Sequence, residues 1–271
     1  MRTLLHVSDL HFGRINASLL DPLRAFASQL EPDLVVVSGD LTQRARTAQF
    51  EQARHFLDSL PQPQIVVPGN HDVPLYDVVS RFVRPLEKFR RIITDDPQPS
   101  YVDAEICVIG IDTSRSLTFK NGRINERQIE HVRAAFDTMP AGRVRIVVSH
   151  HPFDLPDAAD TRDLVGRAPL AMGVFARSGV DLLLAGHLHV SQTGNTAKRY
   201  PAEGYAALVV QAGTATSTRG RGELNSFNVI RIERPYIEIE RFEWQADAGA
   251  FTAVALARYE RAARVWQPVD G

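Results

Sequence analysis

The sequence of 271 residues predicts an α/β fold with more than one sheet. Short, continuously apolar runs such as Leu34–Ser38 are typical of strands that are covered on both faces. Helical patterns separate the early runs, and this alternation of strand and helix indicates an α/β arrangement. The second half is richer in strands, which suggests a second sheet packed on the first.

Nine short apolar or alternating runs predict strands, because β-branched residues dominate them and turn residues bound them. In chain order they are Leu4–Ser8, Leu34–Ser38, Ile65–Val67, Ile106–Ile111, Val144–Ser149, Leu182–Ala185, Ala207–Gln211, Asn228–Ile232 and Ile237–Phe242. The last two alternate apolar with charged residues, which is typical of strands with one face in water.

Four segments carry apolar residues at helical spacing and predict amphipathic helices. They are Ser18–Leu30, Thr47–Leu60, Asn125–Phe136 and Leu170–Ser178. The composition of residues 248–263 suits a helix, but Thr252, Val254 and Tyr259 also suit an extended chain. No repeat or linker divides the sequence. We therefore expect one domain over residues 1–271, with its strand-rich part 205–271 completing the second sheet.

Charge and composition limit the functional classes. The 31 basic and 32 acidic side chains give a net charge of -1, so no general basic field attracts nucleic acid. The single cysteine, Cys107, lies in an apolar run and is interpreted as a buried small side chain. It excludes an intramolecular disulfide and indicates a reducing compartment. Arg219 and Arg221 are interpreted as solvated surface residues.

The apolar stretch at the start of the chain is too short for a signal peptide. No run reaches the roughly 18 apolar residues of a membrane span. We expect a cytoplasmic protein without a membrane span that acts on a small molecule, with a homo-oligomer left open.

Five predicted strands are each followed by potential metal ligands. In chain order these are Asp9 and His11, then Asp40, then Asn70, His71 and Asp72, then His150 and His151, and finally His187 and His189. In an extended chain, residues two apart point the same way, so each Asp-x-His or His-x-His pair is expected to face one site. Adjacent residues point apart. One of Asn70 and His71 is therefore expected on a metal and the other in proton transfer, and only one of His150 and His151 is expected to be a ligand.

Each block by itself has an ordinary explanation. Asp9 is a possible helix cap, Asp40 follows a glycine as in many turns, and Asn70 suits a left-handed turn. Together the blocks fall where strands end, and binding crevices form at the carboxyl ends of strands in open α/β sheets. Imidazole, carboxylate and amide groups without thiolate favour manganese, iron or zinc. Seven such side chains suit two divalent metal ions.

The order of these blocks resembles the calcineurin-like metallophosphoesterase superfamily. All five blocks, Asp9-x-His11, Gly39-Asp40, Gly69-Asn70-His71-Asp72, His150 and Gly186-His187-x-His189, are present between residues 9 and 189. The Ser8-Asp9-Leu10-His11 and Gly69-Asn70-His71-Asp72 motifs look most like the bacterial 3′,5′-cyclic nucleotide phosphodiesterase branch. The chain lacks the Gly-Asp-x-Val-Asp-Arg-Gly motif of protein phosphatases, since Leu41 follows Asp40.

The resemblance implies a four-layer α/β/β/α sandwich of two mixed β-sheets flanked by helices. It implies that Asp9, His11 and His189 bind one metal, that Asn70, His150 and His187 bind the other, and that Asp40 bridges them. His71 is expected near the leaving-group oxygen, as an imidazole that is protonated or nearly so and gives its proton to that oxygen. Asp72 is expected either to orient His71 or to be a turn residue.

The implied function is a dinuclear metal-dependent phosphodiesterase that attacks a phosphate ester with a hydroxide shared by two metals. The expected substrate is a cyclic nucleotide such as 3′,5′-cyclic AMP. A phosphomonoesterase, a lipid-headgroup phosphohydrolase and a nuclease are alternatives on the same scaffold, and a metal-binding scaffold without turnover is the non-enzyme alternative. Substrate-binding residues stay open, with candidates in 73–99 (Arg81, Arg84), in 153–168 (Arg162) and at Thr113, Ser114 and Arg115.

Overall fold

The computed structural model describes residues 1–117, 120–155, 161–220 and 222–269. Its strands are β1 (Arg2–Val7), β2 (Leu34–Val37), β3 (Gln64–Val66), β4 (Ser100–Val102), β5 (Ile106–Ile111), β6 (Val144–Ser149), β7 (Leu182–Ala185), β8 (Gln192–Asn195), β9 (Leu208–Gln211), β10 (Ser226–Glu233), β11 (Tyr236–Gln245), β12 (Ala250–Ala262) and β13 (Val265–Pro268). Its helices are α1 (Leu20–Leu30), α2 (Thr47–Asp58), α3 (Val78–Val83), α4 (Glu87–Ile92), α5 (Glu126–Asp137) and α6 (Ala168–Ser178).

The strands form two mixed sheets. The larger has the order β13-β12-β11-β10-β1-β2-β3, and the smaller has the order β4-β5-β6-β7-β9-β8. Strands β1, β2 and β3 are parallel, and so are β5, β6, β7 and β9. The carboxyl ends of parallel strands emerge at one edge of a sheet, and the ligand-bearing loops follow these ends.

Three apolar clusters define the layers. Leu4, Val36, Ile146 and Leu184 belong to a cluster between the two sheets, which explains why these strands are apolar throughout. On the outer face of the larger sheet, residues of α1 and α2 such as Phe50 pack against β1 and β2. Helices α5 and α6 cover the outer face of the smaller sheet. The predicted four-layer sandwich of helices, two mixed sheets and helices is confirmed.

All nine predicted strands are present, with ends that shift by up to three residues, and Cys107 is buried as predicted. The segment 248–263 is extended, because β12 pairs with both β11 and β13. The short elements β4, β8, α3 and α4 carry too few periodic residues to be found from sequence. The strand-rich C-terminal part contributes β9 to the smaller sheet and β10 to β13 to the larger one. Among the described residues no helix has the length and apolarity to cross a membrane.

Candidate metal centre

The predicted ligand residues come together at one edge of the sandwich. Asp9 and His11 follow β1, Asp40 follows β2, and Asn70 opens a single helical turn after β3. His150 directly follows β6, and His187 and His189 follow β7. Six of these seven side chains are buried, and Asn70 is half-buried. Buried polar groups in such number are costly unless they bind something.

The backbone that holds these ligands is bent, not extended. Five residues have positive φ in the left-handed region: Asp9 (54°), His11 (52°), Asp40 (52°), His187 (75°) and His189 (58°). Residues other than glycine seldom adopt this conformation, which costs about 1–3 kcal/mol at each position. The expectation that Asp9 and His11 meet through an extended chain is therefore wrong in its reason, although the two side chains do meet. His187 and His189 both lie at this one centre, but the turn sends them to different groups of ligands.

Two glycines let the ligand loops approach one another. A β-carbon on Gly186 would lie 1.9 Å from Ser8 Oγ and 2.6 Å from Asp9 Oδ2. A β-carbon on Gly69 would lie 2.1 Å from Asp40 Oδ1. Each glycine therefore occupies its position because a ligand carboxylate fills the space of a side chain.

The first donor set consists of Asp9, His11, Asp40 and His189. The Nε2 atoms of His11 and His189 are 3.2 Å apart, and Asp9 Oδ1 lies 3.5 and 3.1 Å from them. Asp40 Oδ2 lies 3.7 Å from His11 Nε2. Asp9 Oδ1 is buried and accepts no hydrogen bond in the described part of the chain. One ligand atom from each of these four residues thus lies within 4.8 Å of the other three.

The second donor set consists of Asn70, His150, His187 and the same Asp40. Asn70 Oδ1 lies 3.2 Å from His150 Nε2 and 3.1 Å from His187 Nδ1, and these nitrogens are 3.3 Å apart. Asp40 Oδ2 lies 3.3 Å from His150 Nε2. One carboxylate oxygen therefore reaches both sets.

The donor sets fit divalent cations. Nitrogen and oxygen ligands bind such ions at about 2.0–2.2 Å, so ligand atoms around one ion lie about 3.0–3.6 Å apart. Most distances within both sets fall in this range. His150 Nδ1 lies 2.8 Å from the Ser38 carbonyl, and His189 Nδ1 lies 3.0 Å from the Arg219 carbonyl. As hydrogen-bond donors at Nδ1, both histidines keep the Nε2 lone pair for an ion.

His151 lies close to the second donor set but its ring nitrogens are used elsewhere. Nδ1 is 2.8 Å from Thr113 Oγ1, and Nε2 is 2.8 Å from the Lys120 carbonyl. Burial lowers the pKa of His151 to about 3, so its ring stays neutral. This geometry supports the choice of His150 over His151 as a ligand candidate, and it gives Thr113 a supporting position instead of a contact with substrate.

The electrostatics of both sets favour cations. Burial alone raises the pKa of Asp40, but the adjacent histidines, led by His150, hold it well below its usual range. Conversely, burial lowers the pKa of His150, and the Asp40 carboxylate outweighs this effect and raises it to about 9. Protons and metal ions therefore compete for the same lone pairs, as is usual for imidazole ligands.

His71 lies beside the first donor set and is neutral in this arrangement. Its ring contacts the His11 ring edge-on, with centroids 4.9 Å apart. Nδ1 lies 3.0 Å from the Gln43 carbonyl and Nε2 lies 2.9 Å from Arg219 Nη1. A guanidinium only donates hydrogen bonds, so Nε2 must accept. Burial also lowers the pKa of His71. The ring is therefore neutral in this arrangement, and its role as proton donor to the leaving oxygen stays a prediction.

Asp72 binds backbone groups and has no hydrogen bond to the His71 ring in the described structure. Its carboxylate accepts from the N–H groups of Leu41, Thr42 and Gly69 at 2.9–3.1 Å, and from Thr42 Oγ1. Burial, together with the charge of Asp40, raises its pKa to about 7, against these donors. The ring of His71 is oriented by Gln43 and Arg219 instead, and Asp72 joins the Asp40 loop to the 69–72 turn.

Sequence reasoning missed a sixth strand end. The segment after β9 donates from Thr214 Oγ1 to the Asp9 carbonyl and from Thr216 Oγ1 to the Leu10 carbonyl, both at 2.8 Å. It continues to Arg219, which the charge pattern had assigned to the surface. The available signal was positional, since β9 is an apolar run parallel to β7 and must end at the same edge.

The other candidates for substrate contacts have different environments. Arg81 is buried and donates to the carbonyls of Ser116 and Pro74. Arg115 donates to Gln128 on α5, and Ser114 to Asp112. The side chain of Arg84 is 70% exposed. Arg221 and residues 156–160 of the 153–168 segment lie outside the described residues.

Comparison with known proteins agrees with this site. The family of calcineurin-like phosphoesterases matches residues 2–191. The chain belongs to this family. Its His and Asp residues are positioned for divalent metals.

Relatives agree with the family, and a solved structure agrees with the fold. The chain is 29% identical over 262 residues to the Mycobacterium tuberculosis protein named cAMP/cGMP dual specificity phosphodiesterase MT0825, covering 84% of this chain and 75% of the relative. It is 28% identical over 177 residues to a Synechococcus protein named "Probable cyclic nucleotide phosphodiesterase", where the match covers only 59% of either chain. A dimetal phosphatase from Danio rerio has a TM-score of 0.66 at 16% identity, over 89% of this chain and 95% of that one, which supports the fold.

Proposed function

We propose that this chain is a dinuclear phosphodiesterase whose substrate is a cyclic nucleotide such as 3′,5′-cyclic AMP. The observation that carries the dinuclear proposal is Asp40 Oδ2, which lies 3.7 Å from His11 Nε2 and 3.3 Å from His150 Nε2. A single oxygen within reach of both donor sets is the arrangement expected of a bridging ligand. The names of the relatives from Mycobacterium tuberculosis and Synechococcus support the substrate.

The first donor set would hold one metal and the second donor set the other, with manganese or iron as the proposed pair and zinc as an alternative. When bound, two such ions activate water and neutralise charge on the phosphate. Cytoplasmic localisation and self-association stay predictions.

Residues of the chain itself supply orientation and proton handling. Asp72 fixes the relative positions of the Asp40 loop and the 69–72 turn. The Gln43 carbonyl holds the ring of His71 beside the His11 ring of the first donor set. His71 can pass a proton to a leaving oxygen only after Nε2 has taken one up. Replacement of His71 by Ala is therefore expected to preserve metal content and to slow esters with alkyl leaving groups more than nitrophenyl esters.

The decisive experiment measures hydrolysis of 3′,5′-cyclic AMP and of bis(p-nitrophenyl) phosphate by the manganese-loaded protein, with a chelated sample as the blank. The expected result is that the wild-type protein hydrolyses both esters and that Asp40→Asn hydrolyses neither. The matched control is Asp21→Asn, which removes an acid that is 88% exposed in a surface ion pair. Turnover of the nitrophenyl ester alone would reject the cyclic nucleotide and move the search to lipid and nucleic-acid esters. Absence of turnover of every ester would favour a metal-binding scaffold.

A further inference from the structure

Arg219 is tied to the donor sets by the backbone that precedes it. Thr218 N donates to the Arg14 carbonyl at 3.0 Å, and Arg219 N donates to Ser217 Oγ at 3.1 Å. The Arg219 carbonyl lies 3.0 Å from Nδ1 of His189, a member of the first donor set. The residue is half-buried. Its position is thus set by the same contacts that orient a ligand histidine.

The side chain of Arg219 points at His71, the proposed proton donor of the site. Its Nη1 lies 2.9 Å from His71 Nε2, and this is the only hydrogen bond of the guanidinium within the described ranges. A guanidinium carries five N–H donors, so four of them are left for another acceptor. Among the charged groups that act on Arg219 are Asp40, Asp9, Arg14 and Arg44. The guanidinium therefore lies in the field of the donor sets, with Arg14 and Arg44 adding positive charge.

We propose that Arg219 is a further catalytic residue that binds a non-bridging oxygen of the substrate phosphate, and that without substrate it holds His71 as the Nδ1–H tautomer. This proposal rests on the proposed function. A planar guanidinium matches the oxygens of a phosphate and keeps its charge at all working pH values. When the guanidinium moves to the phosphate, His71 Nε2 loses its donor and its lone pair becomes available at the reaction centre.

The test compares Arg219→Ala and Arg219→Lys with wild type at matched manganese occupancy. We expect Arg219→Ala to lower kcat/KM on bis(p-nitrophenyl) phosphate about 100-fold. We expect its affinity for inorganic phosphate, measured by calorimetry, to fall about 10-fold. Arg219→Lys keeps the charge without the planar fork, so we expect it to retain part of the kcat/KM and part of the phosphate affinity. Guanidinium ion added to Arg219→Ala is expected to restore part of both quantities. The control is Arg133→Ala, which removes an arginine from a surface ion pair on α5.

A second readout uses the metal-free protein. Nitrogen-15 chemical shifts of the His71 ring are expected to show the Nδ1–H tautomer in wild type and a mixture of tautomers in Arg219→Ala. The His71 tautomer can also be followed in wild-type protein alone, which avoids any folding defect of a variant. In this case phosphate is added to the manganese-free form and to the zinc-loaded form.

Phosphate affinity within about threefold of wild type in Arg219→Ala overturns the proposal, whatever the turnover shows. An unchanged His71 tautomer in that variant overturns the second part. If wild type hydrolyses no ester but binds phosphate through Arg219, the proposed function fails and the role of Arg219 in binding phosphate stands.

Discussion

The two donor sets share Asp40 but differ in charge. The first contains Asp9, a fully buried carboxylate, and the second has the neutral amide of half-buried Asn70 in the corresponding role. Each set adds two imidazoles. The first set therefore carries one more negative charge, placed where solvent screens it least. The two proposed metals are therefore not expected to be equivalent: the first set should bind its ion more tightly or hold the ion of higher charge.

The largest expected effect comes from removal of the Asp40 carboxylate, which both donor sets share. Asp40→Asn keeps the shape of the side chain but takes the charge from both sets at once. We expect loss of tight metal binding in both, and a fall of at least about 1,000-fold in kcat/KM on bis(p-nitrophenyl) phosphate. Metal content after desalting, measured by mass spectrometry beside Asp21→Asn, checks this. Retention of two tightly bound ions would contradict a bridging role.

An exchange of charges between the two donor sets tests whether the charge difference determines their metal affinities. Asp9→Asn is expected to weaken the tighter manganese site by about 10-fold or more, and Asn70→Asp to strengthen the weaker one similarly. The double variant Asp9→Asn with Asn70→Asp should reverse the order of the two affinities. Calorimetric titration of the metal-free proteins with manganese gives both constants. Two equal affinities in wild type would show that the extra charge of Asp9 does not distinguish the two metal sites.

The smallest effect on metal binding is expected at His151. Both of its ring nitrogens have partners outside the donor sets, Thr113 and the Lys120 carbonyl. His151→Gln should leave both manganese affinities unchanged and lower the free energy of unfolding by about 1–3 kcal/mol, because buried hydrogen bonds are lost. Denaturant unfolding and the same titration separate the two quantities. Loss of the weaker metal would make His151 a ligand of the second set.

Sequence was sufficient for the elements and ligands that repeat a simple pattern. Apolar runs such as Ile106–Ile111 and Val144–Ser149 are strands over the predicted residues. The ligand candidates are grouped as the resemblance implied. The spacing of His187 and His189 predicted a common site but not their division between two donor sets. Spacing assumes an extended chain, whereas both residues have left-handed backbone, and the His187 N–H donates to Asp9 Oδ2, a contact across 178 residues that no local pattern encodes.

The position of Arg219 was missed for a related reason. Its charge alone suggested the surface, and its place at the site depends on contacts between Thr214 and Asp9, 205 residues apart in the chain. For Asp72 the sequence left two roles open, orientation of His71 or a place in a turn. The helical turn at 70–72 directs its carboxylate to Leu41, Thr42 and Gly69, which agrees with the second.

The five ligand residues with left-handed backbone have a consequence for protein engineering. A short peptide that copies Gly186-His187-Leu188-His189 would relax to ordinary backbone angles, and its imidazoles would no longer be directed to separate ions. A designer who wished to transplant this centre would have to carry over the neighbouring strand ends that impose those angles, because the four-letter motif does not contain the information by itself.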